Sequence, residues 1–183
     1  ADSQKIVYLT SIYDASKGSI TKNGVTTNFI PTIESINIYT GERKTVIEEG
    51  GEFDISVDGR YIAYSHFDSR IVTDPQNAVH NGSLAIYDTI TGETRFLTDF
   101  NASTSYDSNR CMYPSFSPDG STVAYISDNQ IFLIPFEGGT PEQVTAFDNN
   151  ADTSTLTGCR YSPDGNYLLT TRGNSMLVIA IKD

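Results

Sequence analysis

No stretch of the 183-residue chain approaches the roughly 18 consecutive apolar residues of a membrane-spanning helix, so insertion by such a helix is not expected. Basic residues are few. Twelve Lys and Arg stand against 23 Asp and Glu, a formal charge of -11, with no basic run to displace the counterions around phosphates. This weighs against a nucleic-acid partner. The acidity suits a protein kept apart from its neighbours by repulsion, and it identifies no ligand. Cysteine occurs twice, at Cys111 and Cys159, in no CxxC pair, which argues against a zinc or dithiol redox site. GxSxG, phosphate-loop, dinucleotide and HExxH patterns are all missing. No motif therefore calls for a cofactor, a metal or a nucleophile. The opening ADSQKIVYLTS lacks the charged-then-apolar order of a signal peptide. It is compatible with a mature end left by signal cleavage, and equally with a trimmed chain.

Tryptophan is absent, but 11 tyrosines and 9 phenylalanines supply aromatic surface. Hydrophobic residues make up 38% and charged residues 19%. That mixture suits strands, on which aromatic and β-branched side chains pack well.

A phrase recurs. YPSFSPDGSTVAYIS at 113–127 returns as CRYSPDGNYLLTT at 159–171, and in a weaker form as EFDISVDGRYIAYS at 52–65. Each copy reads as a strand ending in Ser, a tight turn (Val57-Asp58-Gly59, Pro118-Asp119-Gly120, Pro163-Asp164-Gly165) and a second strand. Proline presets φ, aspartate caps its own turn and glycine supplies positive φ. A third strand, a second turn and a fourth strand follow, as in GSLAIYD–TGETRFLT and NQIFLIPF–GGTPEQVT. With the strands of a unit lettered a to d, the chain reads b-c-d, a-b-c-d, a-b-c-d, a-b-c, fourteen strands in all. Four-stranded antiparallel meanders repeating every ~40 residues build a β-propeller. The expected fold is an all-β propeller of about three and a half blades in a single domain over 1–183, with blade segments near 1–50, 51–98, 112–145 and 158–183. An ordinary sandwich of hairpins is the alternative, and repetition at corresponding turns weighs against it. The first unit lacks an inner strand and the last an outer one. Either the chain is part of a longer propeller, or copies associate to complete a ring.

The strand order puts the a-b and c-d turns on one face, and all of these are short. The b-c connections (about Ser11 to Glu34 and His66 to Gly82) and the d-a connections (about Asp99 to Met112 and Ala146 to Gly158) lie on the other. Long loops held by a rigid scaffold are where binding is expected. Candidate ligand contacts on that face are His66, Tyr106, Asp107, Arg110 and Asp148. His66 and His80 share a loop with Asp68, Arg70 and Asp74, a grouping able to hold a metal or move a proton, although its spacing fits no tight ligand motif. Asp148, Asn149, Asn150 and Asp152 offer oxygens suited to Ca²⁺ but lack an EF-hand loop, and a self-capped polar loop explains them equally well. Arg110 and Arg160, at or just before inner strands, suit a carboxylate fork or a salt bridge to one of the many acids. Cys111 and Cys159 fall near the starts of neighbouring inner strands, where a disulfide is conceivable.

YPSFSPDGSTVAYISDNQIFLIPFEGGTPEQVT, with GCRYSPDGNYLLTT and FDISVDGRYIAYS, resembles the PD40, or WD40-like, repeat of TolB-type propellers. The resemblance covers most of the chain outside the long loops, and Val57 departs from the proline expected there. It implies that Ser117–Gly120 and Ser162–Gly165 are turn residues rather than an active site. It also implies a non-enzymatic, exported (periplasmic or secreted) module binding a protein, peptide or glycan. Related propellers form oligogalacturonate lyases or gate prolyl oligopeptidase-like peptidases. The enzymatic alternative is accordingly a metal-dependent polysaccharide lyase or a propeller piece of a peptidase-like enzyme.

Overall fold

The structure is a computed structural model that describes residues 4–13, 20–22, 25–27, 29–67, 82–98, 111–149 and 154–181. Strand β1 (Lys5–Tyr13) opens the chain, and β2 (Ile20–Lys22) and β3 (Val25–Thr27) pair only with each other. β4 (Phe29–Asn37) lies between β1 and β5 (Arg43–Glu48), closing a three-stranded sheet. The second sheet runs β6 (Gly50–Ile55), β7 (Tyr61–Phe67), β8 (Gly82–Asp88) and β9 (Thr94–Phe96). The third runs β10 (Met112–Phe116), β11 (Thr122–Ser127), β12 (Gln130–Pro135) and β13 (Glu142–Gln143). The fourth contains β14 (Leu156–Tyr161), β15 (Tyr167–Arg172) and β16 (Ser175–Ala180). Every pairing is antiparallel between chain neighbours within a sheet. These four sheets give the fourteen strands and the 3-4-4-3 order read from the turns, an all-β partial propeller.

The β2–β3 hairpin is an addition to that reading. It falls within the connection from about Ser11 to Glu34, which the sequence pattern alone presents as a loop. The β1–β4 ladder also extends from Lys5↔Asn37 to Tyr13↔Phe29, so much of that connection is strand.

The three Asp-Gly turns are built alike. Ser56, Ser117 and Ser162 each donate a hydroxyl hydrogen bond of 2.6 Å to the aspartate two residues on. Each serine oxygen also accepts from the first backbone N–H of the following strand, at Tyr61, Thr122 and Tyr167. Gly120, at φ 72°, supplies the left-handed residue that closes its turn. The Ser-x-Asp-Gly phrase therefore specifies geometry, and its polar atoms are occupied by the turn itself.

Alternation along each strand sends successive side chains to opposite sheet faces. Counted from the turn serine, Ala63 and Ala124 are equivalent and point toward the following sheet, and Leu169 holds the same place in the fourth sheet. Ile62, Val123 and Leu168 point back toward the preceding one. Three cores result. Ile33 and Ile47 pack on Ile62 and Tyr64; Ala63, Leu84 and Ile86 pack on Phe116, Val123 and Tyr125; Ala124, Ile126 and Ile131 pack on Leu156, Cys159 and Leu168.

Polar latches repeat beside these cores. Asp54, two residues before its turn serine, accepts at Oδ2 from the Phe116 N–H at 2.9 Å. Ser115, at the same position one sheet later, accepts at Oγ from the Tyr161 N–H at 3.2 Å. Each latch joins the inner strand of one sheet to the inner strand of the next.

Candidate functional site

The inner strands β6, β10 and β14 are all irregular. Their registers shift between Gly50 and Phe53, between Met112 and Ser115, and between Thr157 and Cys159. Bulges re-aim side chains and leave part of the ladder open. Two of these carry positive φ, 52° at Tyr113 and 69° at Gly158. For tyrosine that conformation is uncommon and costs on the order of 1–3 kcal/mol. Glu52, Tyr113 and Gly158 occupy the same place, four residues before Ser56, Ser117 and Ser162.

These bulges border a cavity of about 490 Å³ between the inner strands, lined among others by Leu9, Glu52, Asp54, Tyr113, Gly158 and Arg160. Cys111 leads directly into β10, and Ser154 and Thr155 lead into β14. The cavity thus lies beside the bulged parts of the inner strands.

Its electrostatics centre on Asp54. Beyond its bond to Phe116, Oδ1 pairs with Arg160 Nη1 at 2.6 Å, tying the second sheet to the fourth. Arg160 keeps more than half of its side-chain surface exposed, while Asp54 is mostly covered. Glu52 Oε2 is buried with no hydrogen-bond partner among the described residues. One wall therefore offers a carboxylate oxygen in need of a donor and another a partly exposed guanidinium. Tyr161, behind the wall, has its hydroxyl 2.9 Å from Thr122 Oγ1, and burial raises its pKa.

Of the residues expected to contact a ligand, Tyr106, Asp107 and Arg110 lie outside the described residues, as do His80, Asp68, Arg70, Asp74, Asn150 and Asp152. His66 sits near the end of β7, half-buried, with its ring edge-on to Tyr64 at 6.1 Å and to Phe96 at 5.1 Å. Asp148 is exposed in the segment after β13. Its carbonyl accepts from Arg172 Nη2 at 3.4 Å. Neither His66, on β7 of the second sheet, nor Asp148, in the segment after β13, lines the inner-strand cavity. Asn149 is occupied structurally, accepting from Asn129 Nδ2 and donating to the Asp128 carbonyl. Among the described residues no group of three His, Cys, Asp or Glu gathers in a metal-binding arrangement.

Arg160 forms the salt-bridge option of its two sequence readings. Cys111 and Cys159 are both buried free thiols. They lie in different cores, Cys111 between the second and third sheets and Cys159 between the third and fourth. Composition gave no sign of Glu52, Asp54 and Tyr113. Aligning residues two and four places before each turn serine reveals them.

Successive antiparallel meanders with bulged inner strands around a shared cavity define the class: a β-propeller, here represented by four sheets. Residues 78–182 match the family described as the dipeptidyl peptidase IV (DPP IV) N-terminal region, and the chain belongs to that family. No curated protein sequence matches the chain significantly. Among solved structures, the chain is similar to a prolyl endopeptidase (TM-score 0.55, 15% identity, covering 98% of this chain and 28% of that one). It is also similar to the hydrazine synthase of Kuenenia stuttgartiensis (0.58, 16%, 98% and 56%) and to an oligogalacturonate lyase in complex with manganese (0.56, 16%, 92% and 48%). These likenesses carry the fold. The chain spans less than two thirds of each of these structures.

Proposed function

We propose that the chain is a non-enzymatic, TolB-like propeller module that binds a protein, peptide or glycan at the long-loop end of its inner-strand cavity. The observation that carries this reading is the convergence of three inner-strand bulges on one cavity, with the positive-φ Tyr113 at its wall. Strained residues persist where the surroundings over-determine them, and they concentrate at binding sites. Glu52, Tyr113 and Arg160 form the inner contacts. Tyr106, Asp107 and Arg110, entering β10, and His66 and Asp148, farther out, form the outer ones. An aromatic and an arginine near the centre are the residue types that dominate binding energy. The setting is periplasmic or secreted, and copies of the chain associate.

A second reading draws on the family name and on the likeness to a prolyl endopeptidase: the chain is the propeller part of a peptidase-like enzyme whose chemistry lies elsewhere. The polysaccharide-lyase reading draws on the manganese-bound oligogalacturonate lyase. Against it stands His66, packed edge-on to two aromatic rings.

Selection from a displayed peptide library and a glycan array, followed by affinity measurement on Tyr106→Ala, Arg110→Ala and Tyr113→Ala, tests the proposal. At least one variant should lose about tenfold in affinity, ~1.4 kcal/mol. Wild-type affinity in all three, or no ligand of either class, overturns it.

A further inference from the structure

The short-turn face carries a groove between the second and third sheets, both of which have all four strands. Two cavities, of about 350 and 500 Å³, share the Tyr61 and Phe136 rings as a common wall. The first lies between the turns at Val57-Asp58 and Pro118-Asp119-Gly120. The second continues outward past Glu93 and Arg95 to Glu137.

The next interface shows what is particular to this one. A Cβ added at Gly165 would stand 3.3 Å from Pro118 Cδ, so the third and fourth turns abut. At Gly120, the same place one sheet earlier, it meets nothing within 4 Å. Val57, which holds the place of Pro118 in the preceding turn, is 82% exposed. The floor differs too. The Phe136 ring lies 4.9 Å from Tyr61 and 6.2 Å from Phe116 between centroids, and all three pack on the core beneath. Between the third and fourth sheets the equivalent residues are Thr122, Tyr161 and Ile181, with the Tyr161 hydroxyl tied to Thr122 Oγ1. Phe136 and Ile181 correspond because each gives its N–H to the carbonyl four residues after the turn serine, at Ser121 and Asn166. One interface is open and aromatic where the next is closed.

The rim sets the charge of whatever docks there. Arg60 is held by Asp88 at 2.7 Å. Arg95 lies over the Phe136 ring and donates to the Phe136 carbonyl. Both guanidinium groups are thus committed to the walls. Asp58, Asp119, Glu93 and Glu137 are exposed along the groove. An aromatic floor under an acidic rim complements an apolar side chain with cationic neighbours, whose aliphatic stems cover further apolar surface.

We propose that this groove docks a short basic segment of a partner protein. One apolar side chain sits between Val57 and Gly120 over Tyr61, Phe116 and Phe136, and flanking Lys or Arg residues meet Asp58, Asp119 and Glu137. The proposal goes beyond the inner-strand cavity and does not rest on it.

Fluorescence anisotropy with a panel of short labelled peptides tests it. Each carries a central Leu, Phe, Met or Pro flanked by lysines or arginines, and matched peptides carry a central Ala or Glu flanks. At least one basic peptide should bind saturably, about fivefold tighter than its Ala-centred partner and about tenfold tighter than its Glu-flanked one. Raising salt from about 50 to about 500 mM should weaken it. Val57→Lys and Glu137→Lys, both at exposed positions, should each weaken it by about fivefold or more with unchanged circular dichroism. E137K carries the test alone if V57K unfolds. No saturable binding by any basic peptide overturns the proposal, as does equal binding of the Glu-flanked set. Binding abolished by Arg160→Ala but intact in V57K and E137K would place the peptide in the inner-strand cavity and overturn it as well.

Discussion

Asp54 on β6 and Arg160 on β14 meet at 2.6 Å although a whole sheet separates their strands in the chain. The same carboxylate accepts the Phe116 N–H from the intervening strand, so one side chain joins three inner strands around the cavity.

The two partners should therefore respond unequally to truncation. Asp54→Ala leaves a part-buried backbone N–H without its acceptor and costs about 1–3 kcal/mol. Arg160→Ala removes a more exposed ion-pair partner and costs up to about 1 kcal/mol. Urea unfolding of both variants checks the order. An R160A loss equal to that of D54A would mean that the ion pair, rather than the N–H bond, is the main contribution.

Glycine substitutions separate backbone strain from crowding. At Gly120 an added Cβ meets nothing within 4 Å, but φ is +72°. Gly120→Ala should cost roughly 1–2 kcal/mol, the left-handed penalty of an L-residue. At Gly50 no positive φ intervenes, while the Cβ would approach Ile33 Cδ1 and Ile47 Cγ2 to 3.0 Å. Gly50→Ala should cost on the order of 1–3 kcal/mol through overpacking. Trimming Ile47 to Val, which leaves Cγ2 in place, should rescue G50A little. Ile33→Val, which removes Cδ1, should rescue it more. Neither should help G120A.

How much of this was legible in the sequence follows from the same positions. Ser-Pro-Asp-Gly announces its turn because each atom of the phrase has a geometric task, and fourteen blade strands followed from it. The β2–β3 hairpin is faint in the sequence even though Asn23-Gly24, a hairpin dipeptide, stands between ITK and VTT. Its strands are three residues each, too short for alternation to register. The latch column was opaque because Asp54, Ser115 and Arg160 share no chemistry as residue types. What unites the first two is an accepted N–H, and that appears only once the sheets are stacked. The cysteines show the converse. Cys111 and Cys159 look equivalent near two strand starts, but they stand six residues before Ser117 and three before Ser162, which places them in different cores.

Those thiols should be silent in the folded chain. Burial raises the pKa of Cys111 and pushes that of Cys159 up to about 12, despite the opposing influence of Arg160. Only the thiolate reacts. Ellman's reagent at neutral pH should label neither cysteine in the native state and both in denaturant, and reductant should not change the unfolding midpoint. Rapid native labelling of either residue would contradict the burial.

Acid sensitivity should trace to the turns. Hydrogen bonds from Ser56 and Ser162 hold the Asp58 and Asp164 carboxyls below their ordinary value of 3.8, and Arg60 does the same for Asp88. With folded-state values depressed, the unfolded chain binds more protons in that range. The contribution is present above the ordinary carboxylate value and is lost as pH falls through the folded one. Urea midpoints should hold near neutrality and drop below about pH 4. Ser162→Ala, which removes the largest cause at Asp164 while keeping its charge, should lower the midpoint near neutrality and flatten the acid drop. An S162A profile parallel to the wild type would place the acid sensitivity elsewhere.

Tyr113→Gly sets stability against binding at one residue. Its left-handed backbone suits glycine, whose relief of about 1 kcal/mol or more offsets the packing lost where the ring rests on the core between the third and fourth sheets. The thermal midpoint should shift by only a few degrees. Gly158, already glycine at the same place in the next inner strand with φ 69°, shows that the fold accepts this. If the ring is retained to line the cavity, Y113G should lose about tenfold or more in affinity for the selected peptide or glycan. Tyr113→Phe, which keeps the strain and the aromatic face, should retain most of it. A strongly destabilised Y113G with unchanged affinity would make the tyrosine a core residue and remove it from the proposed site.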